Sequence, residues 1–191
     1  MTDTIQYKKN GQAQGGIYTF IDQIRSTVTE YVHDFESLHQ WSITEPVEFW
    51  SKVWEFCDIK THKKIEQVMV SGDRFIDTKW FLGATLNITE NMLRYHDNRT
   101  AIYYQSEYQD IQSVTYKELY QHVCNRVAVF REMGLQPGDR VAAVVTNCPE
   151  TVYCMLAITA LGGVWSACSP DFGLDALSAR LTQINPHYFL S

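Results

Sequence analysis

From Ile17 onward, Phe20, Ile24, Val28, Tyr31, Val32 and Phe35 recur at helical spacing, placing one apolar face on a segment that must dock against something larger. Thr44 then stands as an N-cap with Pro46 in the first turn, and Phe49, Trp50, Val53, Trp54 and Cys57 form a second apolar stripe. The tryptophans read as packing anchors. Residues 58–79 place polar and basic clusters, Thr61-His62-Lys63-Lys64 and Ser71-Gly72-Asp73-Arg74, around a short apolar run at Val68–Val70, and read as loops. Past Trp80-Phe81-Leu82-Gly83, the residues Leu86, Ile88, Met92 and Leu93 fit a short helix. Residues 17–96 are thus expected to form a mainly helical N-terminal cap, and the polar, glycine-containing residues 1–16 a flexible arm.

After Asn98 strands and helices alternate. Ala101–Gln105 is rich in β-formers, with Ser113–Thr115 as its candidate partner. Thr115-x-x-Glu118 is a capping box opening a helix whose apolar face uses Leu119, Val123, Val127 and Phe130. Gly134 offers the left-handed residue that ends this helix, and Gln136-Pro137-Gly138-Asp139 predicts a type II turn. Val141–Val145 is a continuous apolar run, as in a parallel strand covered on both faces. Asn147-Cys148-Pro149-Glu150 offers an N-cap, a first-turn proline and an acid at the positive end of a helix closing at Gly162-Gly163. Strand Val164–Ala167, helix Leu174–Ile184 and strand His187–Leu190 follow. The fold class is α/β: a mainly helical N-terminal cap (17–96), then an incomplete open β-α-β sheet domain (97–191).

Composition narrows the function classes. A net charge of −6, with no Lys/Arg block longer than Lys63-Lys64, speaks against a nucleic-acid surface and for small-molecule partners. Cys57, Cys124, Cys148, Cys154 and Cys168 are odd in number and contain no CxxC pair, so they read as buried thiols in a reducing compartment. The histidines lack metal-ligand spacing, so no metal ligands are assigned. Thr151–Pro170 carries no charge and approaches membrane-spanning length, yet Gly162-Gly163 interrupts it, which favours a buried helix, a turn and a strand. The early residues have no apolar core of the signal-peptide kind, and a cytoplasmic protein is expected.

Neither GxGxxG, GxxxxGK[ST] nor GxSxG occurs. Cys168 and Ser169 have no nearby base in sequence and read as structural, while Asp171 is placed as a helix cap. The loop Ser169-Pro170-Asp171-Phe172-Gly173 leaves the carboxyl end of a strand, where open α/β sheets gather ligands. From spacing alone, a capped helix start is the better account of the loop.

The residues Gly138-Asp139-Arg140-Val141-Ala142, Asn147-x-Pro149-Glu150, Met155-Leu156-Ala157 and Gly162-x-x-Trp165-Ser166 resemble, in order and spacing, the acyl- and acetyl-CoA synthetase branch of the acyl-adenylate-forming (AMP-binding) enzymes. Within it, Cys168-Ser169-Pro170-Asp171-Phe172-Gly173 is similar to the acetoacetyl-CoA synthetases, as are Trp41-Ser42, Phe49-Trp50, Trp80-Phe81-Leu82-Gly83-Ala84, Leu86-Asn87 and Glu90-Asn91. The likeness covers residues 17–191. It implies a ligase that joins a carboxylate to CoA through an acyl-adenylate, with ATP and CoA as substrates and magnesium (Mg2+) as cofactor. It also implies that Ser169, Pro170, Asp171, Phe172 and Gly173 lie near the CoA nucleotide. Only Phe172 keeps the residue type usual in the acetyl-CoA relatives, whose loop is glycine-rich and aromatic.

In that family the phosphate loop, the adenine pocket and a C-terminal lysine come later in the chain. The 191 residues are accordingly read as the front part of an acetoacetate-CoA ligase, with no catalytic residue assigned to them, inactive alone and prone to self-association through an open sheet edge. An acetyl- or propionyl-type synthetase is the nearest alternative. A non-catalytic remnant binding CoA or a partner synthetase is the third.

Overall fold

The computed structural model describes residues 16–191, so the flexible arm expected over residues 1–16 lies, save Gly16, outside the described residues. The elements run α1 (Gly16–Thr27), α2 (Phe35–Thr44), α3 (Pro46–Phe56), β1 (Gln67–Val70), β2 (Lys79–Leu82), α4 (Ile88–Met92), β3 (Thr100–Tyr104) and β4 (Gln112–Thr115). They continue through α5 (Tyr116–Glu132), β5 (Arg140–Val144), α6 (Pro149–Ala160), β6 (Val164–Cys168), α7 (Leu174–Ile184) and β7 (Tyr188–Leu190). Two compact units result: one runs up to Ile59 and includes Lys63–Ala84, the other joins Lys60–His62 to Thr85–Ser191.

In the first unit Phe20, Ile21, Ile24, Val32, Leu38 and Trp41 form the core, with Phe49 and Phe56 packed against it. Trp41 meets Phe49 edge-on at 5.6 Å; of the two tryptophans expected as anchors, Trp54 packs 4.4 Å from Phe81, while Trp50 meets Phe49 edge-on at 5.2 Å but stays 41% exposed. The apolar stripe from Phe20 to Phe35 is not one helix. Asp34 caps α2: its carboxylate accepts the Ser37 N–H at 2.8 Å, while the Ser37 hydroxyl accepts the Asp34 N–H at 3.0 Å. This reciprocal cap satisfies amides that a continuous helix would use otherwise, and it leaves Tyr31 and Phe35 exposed. Thr44 is likewise not the cap of α3. It closes α2, donating to the Gln40 carbonyl at 3.0 Å, and Glu45 occupies the N-cap without a side-chain bond.

Residues 58–79, expected as loops, contain β1, which pairs antiparallel with β2 in the register Gln67↔Leu82 and Met69↔Trp80. Single-strand periodicity over four residues was too short to reveal a pair that exists only through its partner.

The second unit is built around Leu93, Val114, Leu119, Val123, Phe130, Leu135, Val141, Tyr153, Leu156, Ala157 and Ile158. The expected β3–β4 pair is present and antiparallel, Ile102 facing Val114. Thr115 caps α5 as expected, its hydroxyl accepting the Glu118 N–H at 3.2 Å while the Glu118 carboxylate accepts the Thr115 N–H at 2.8 Å. After α5, Gly134 takes a φ of +87° and Gly138 one of +89°, and the Asp139 N–H donates to the Gln136 carbonyl at 3.0 Å, completing the expected turn.

A three-stranded parallel sheet of order β6-β5-β7 follows. Val141 pairs with Trp165 on one side and with Tyr188 on the other. Val141, Ala142 and Ala143 are at most 2% exposed, so both faces of β5 are covered, as the apolar run required. The uncharged stretch 151–170 is α6, a glycine turn and β6, and among the described residues no helix is long and apolar enough to cross a membrane. The expectation of buried thiols fails in part: Cys168 is buried, Cys57 is exposed, and the other three are intermediate. Cys57 ends the apolar stripe read from sequence, but it is the C-cap residue of α3, one position past the helix's last residue, Phe56.

Candidate functional site

At the carboxyl ends of the parallel strands the chain leaves β5 and β6 in two neighbouring loops. They are tied together where the Val145 N–H donates to the Cys168 carbonyl at 3.1 Å. The first loop is braced by Thr151, whose hydroxyl donates to the Thr146 carbonyl at 2.8 Å. α6 then starts with Pro149 at its first turn, but its N-cap is Cys148, without a side-chain bond, and not Asn147 as the sequence suggested. A proline at that position removes one of the amides that a helix start leaves without an intrahelical partner.

The second loop is Ser169-Pro170-Asp171-Phe172-Gly173, the stretch singled out from sequence. Its turn is closed internally: the Ser169 hydroxyl donates to the Asp171 carboxylate at 2.9 Å and accepts the Asp171 N–H at 3.2 Å. The Phe172 N–H donates to the Ser169 carbonyl at 3.3 Å. Asp171 is therefore not the cap of α7. That position belongs to Gly173, two residues later, which caps with backbone alone, its carbonyl accepting the Leu177 N–H at 3.1 Å. The carboxylate of Asp171 bonds to Ser169 instead, a local side-chain bond that competes with helix capping.

Between these loops lies a cavity of about 390 Å³ whose lining includes Thr146, Glu150, Thr151, Cys154, Trp165 and Pro170. Of the sequence-selected residues only Pro170 lines it. Ser169 is half-buried beneath the turn, and Asp171, Phe172 and Gly173 face outward. From sequence, Asn147-Cys148-Pro149-Glu150 in the Thr146–Thr151 stretch reads as a helix start only. The signal was present, since it too leaves the carboxyl end of a parallel strand.

Arg180 was also missed. Its guanidinium lies 4.6 Å from the centre of the Phe172 ring, and one of its N–H groups donates to the Ala176 carbonyl at 3.2 Å. Eight residues separate it from Phe172, and only the course of α7 brings the two together.

A second cavity, about 450 Å³, lies within the same unit among α4, α5 and the end of α6. Much of its polar lining is engaged within the fold. Asn87 donates to the Thr159 carbonyl at 2.9 Å, Thr89 to the Leu156 carbonyl at 2.9 Å, and His62 pairs with Glu90 at 2.9 Å. It is best described as a packing seam with satisfied polar groups.

Residues 88–191 match the family model described as AMP-binding enzyme, and residues 35–92 match the one described as acetyl-coenzyme A synthetase N-terminus. An acetoacetyl-coenzyme A synthetase of Rhizobium meliloti is 37% identical over 171 residues, covering 90% of this chain and 26% of the relative. That of Xenopus tropicalis is 37% identical over 180 residues, covering 91% of this chain and 27% of its own length. A solved structure of acetoacetyl-CoA synthetase from Streptomyces lividans superposes with a TM-score of 0.82 at 34% identity, over 93% of this chain and 28% of the other. The chain spans about a quarter of the length of the curated relatives it matches.

Proposed function

The chain belongs to the AMP-binding enzyme family, and from that premise we propose that it is the N-terminal part of an ATP-dependent acetoacetate-CoA ligase. The reading rests chiefly on the likeness to the Streptomyces lividans acetoacetyl-CoA synthetase, which extends over 93% of this chain at 34% identity. Residues 17–96 then form the N-terminal cap, and residues 97–191 the first part of the AMP-binding domain.

The reaction has two steps. A carboxylate oxygen of acetoacetate attacks the α-phosphorus of ATP, forming acetoacetyl-adenylate and releasing pyrophosphate. The CoA thiol, losing its proton, then attacks the acyl carbon, forming acetoacetyl-CoA and releasing AMP. Adenylation is needed because a free carboxylate is a poor electrophile with a poor leaving group. Magnesium would offset phosphate charge in the first step. Among the described residues no three His, Cys, Asp or Glu side chains gather to hold a metal ion, so no step is assigned to it through this part of the chain.

In this reading the chain's own contribution is positional. The loop Ser169–Gly173 contacts the CoA nucleotide from the carboxyl end of β6, with its turn pre-closed by the Ser169–Asp171 hydrogen bonds. The protein works in the cytoplasm, and the 191-residue chain alone neither adenylates acetoacetate nor makes the thioester. Among the described residues β6 and β7 are the edges of the sheet, and they would let that isolated chain self-associate.

The match of residues 35–92 to the acetyl-coenzyme A synthetase N-terminus favours a second reading, in which acetate or propionate is the acid. Acetoacetate-dependent exchange of labelled pyrophosphate into ATP, measured on the product of the complete gene, tests adenylation itself. Exchange supports the ligase reading, and no exchange with any short carboxylate overturns it.

A further inference from the structure

Every ligand phosphate brought to the sheet's carboxyl end needs positive charge, and this part of the chain holds very little. Between Arg140 and the C-terminal Ser191 the sequence contains a single Lys or Arg, Arg180. The same stretch carries Glu150, Asp171 and Asp175, so without Arg180 the surface there would repel an anion.

Arg180 is held in a defined place. One N–H is anchored on the Ala176 carbonyl at 3.2 Å, one turn back along α7, and the guanidinium carbon lies over the Phe172 ring at 4.6 Å from its centre. The backbone of Phe172 is held by the closed turn, its N–H bonded to the Ser169 carbonyl at 3.3 Å, while 41% of the residue remains exposed. The nearest carboxylate of the loop, Asp171, accepts its hydrogen bond from Ser169 at 2.9 Å. A guanidinium stacked on an aromatic ring keeps its edge N–H groups available in the ring plane's direction, a geometry suited to phosphate oxygens.

We propose that Arg180, aligned by Phe172, is the phosphate-recognising residue of the Ser169–Gly173 loop and makes that loop select a phosphorylated nucleotide over the bare pantetheine arm of the same ligand. The inference rests on the reading of this loop as the CoA contact. Its own content is the role of a residue outside the loop, on the second turn of α7.

The test is titration calorimetry on the product of the complete gene, with CoA and with pantetheine, for the unmodified protein and for Arg180→Gln, Arg180→Lys and Phe172→Leu. Arg180→Gln is expected to weaken CoA binding by about tenfold or more while leaving pantetheine unchanged. Its affinity should also fall less steeply with added salt. Arg180→Lys should recover part of the loss as a charge without the planar fork, and Phe172→Leu should lose part of it through misalignment. Arg180 is exposed on α7, so folding should survive, and the Lys variant keeps the test open if the Gln variant does not fold.

Two different failures can be told apart. If Arg180→Gln binds CoA as tightly as the unmodified protein while Phe172→Leu weakens it, the role of Arg180 is wrong and the loop reading stands. If neither Phe172→Leu nor either Arg180 substitution alters CoA affinity, or the unmodified protein does not bind CoA, the loop reading falls and takes this inference with it.

Discussion

The side-chain amide of Asn91 closes on the backbone of Lys60 from both sides, its Oδ1 accepting the Lys60 N–H at 2.9 Å and its Nδ2 donating to the Lys60 carbonyl at 3.0 Å. A short segment that precedes the β1–β2 pair is thereby stitched to α4, far along the chain. Asn91→Ala removes both bonds and should cost about 1–2 kcal/mol in a urea titration. A variant as stable as the parent would show that water replaces the pair without loss.

Gly163 and Gly134 should fail for different reasons. A Cβ on Gly163 would stand 2.8 Å from Ile158 Cγ2, and Ile158 is fully buried, so Gly163→Ala should cost about 1–3 kcal/mol through overpacking. Gly134 has open space around it but a φ of +87°, so Gly134→Ala should cost about 1 kcal/mol through backbone strain alone. Chemical denaturation of both variants checks the contrast. Equal, negligible losses would contradict it.

Acid should loosen the start of α5. Hydrogen bonds from the Thr115 N–H and hydroxyl hold the Glu118 carboxyl below its ordinary value of 4.5. A depressed folded-state value means that the stabilisation is present above the ordinary carboxylate pKa and is lost as pH falls through the folded one. Thr115→Ala removes the hydroxyl bond and keeps the larger backbone one, so it should weaken the cap near neutral pH and flatten this part of the acid transition in part. An acid transition of unchanged steepness in Thr115→Ala would count against the capping account.

Alkali should act at Tyr153. Burial first, and the neighbouring Glu150 charge second, push its hydroxyl above the usual 10.0, opposed by Arg126 stacked 4.8 Å over the ring. The raised value favours the neutral phenol in the fold, so its contribution is complete below pH 10.0 and is lost as pH rises through the folded-state value. Tyr153→Phe should reduce the alkaline loss of stability, measured as the difference between melts at mildly and strongly alkaline pH. Identical alkaline behaviour in the two proteins would rule this out.

These positions also show where sequence reasoning succeeded. The β5 run, the capping box at Thr115 and the Pro137-Gly138 turn were legible because each is specified by residues within a few positions of one another. The break at Asp34 was local as well, but an apolar spacing that happened to continue across it concealed the cap. By contrast, the β1–β2 pair, the Asn91–Lys60 bridge and the Arg180–Phe172 stack depend on contacts between distant residues or on the path of an intervening helix. The candidate loop itself was readable as a strand-to-helix turn at the ligand-gathering end of a sheet. Its Ser169–Asp171 closure, which takes Asp171 away from helix capping, was not.

Acid selectivity bears most directly on the proposed acetoacetate-CoA ligase. The product of the complete gene should be assayed for pyrophosphate release with acetoacetate, acetate and propionate at matched ATP and CoA. A kcat/KM for acetoacetate at least about tenfold above those for the other acids is the expected result. Preference for acetate or propionate would contradict the acetoacetate assignment and leave only the family in place.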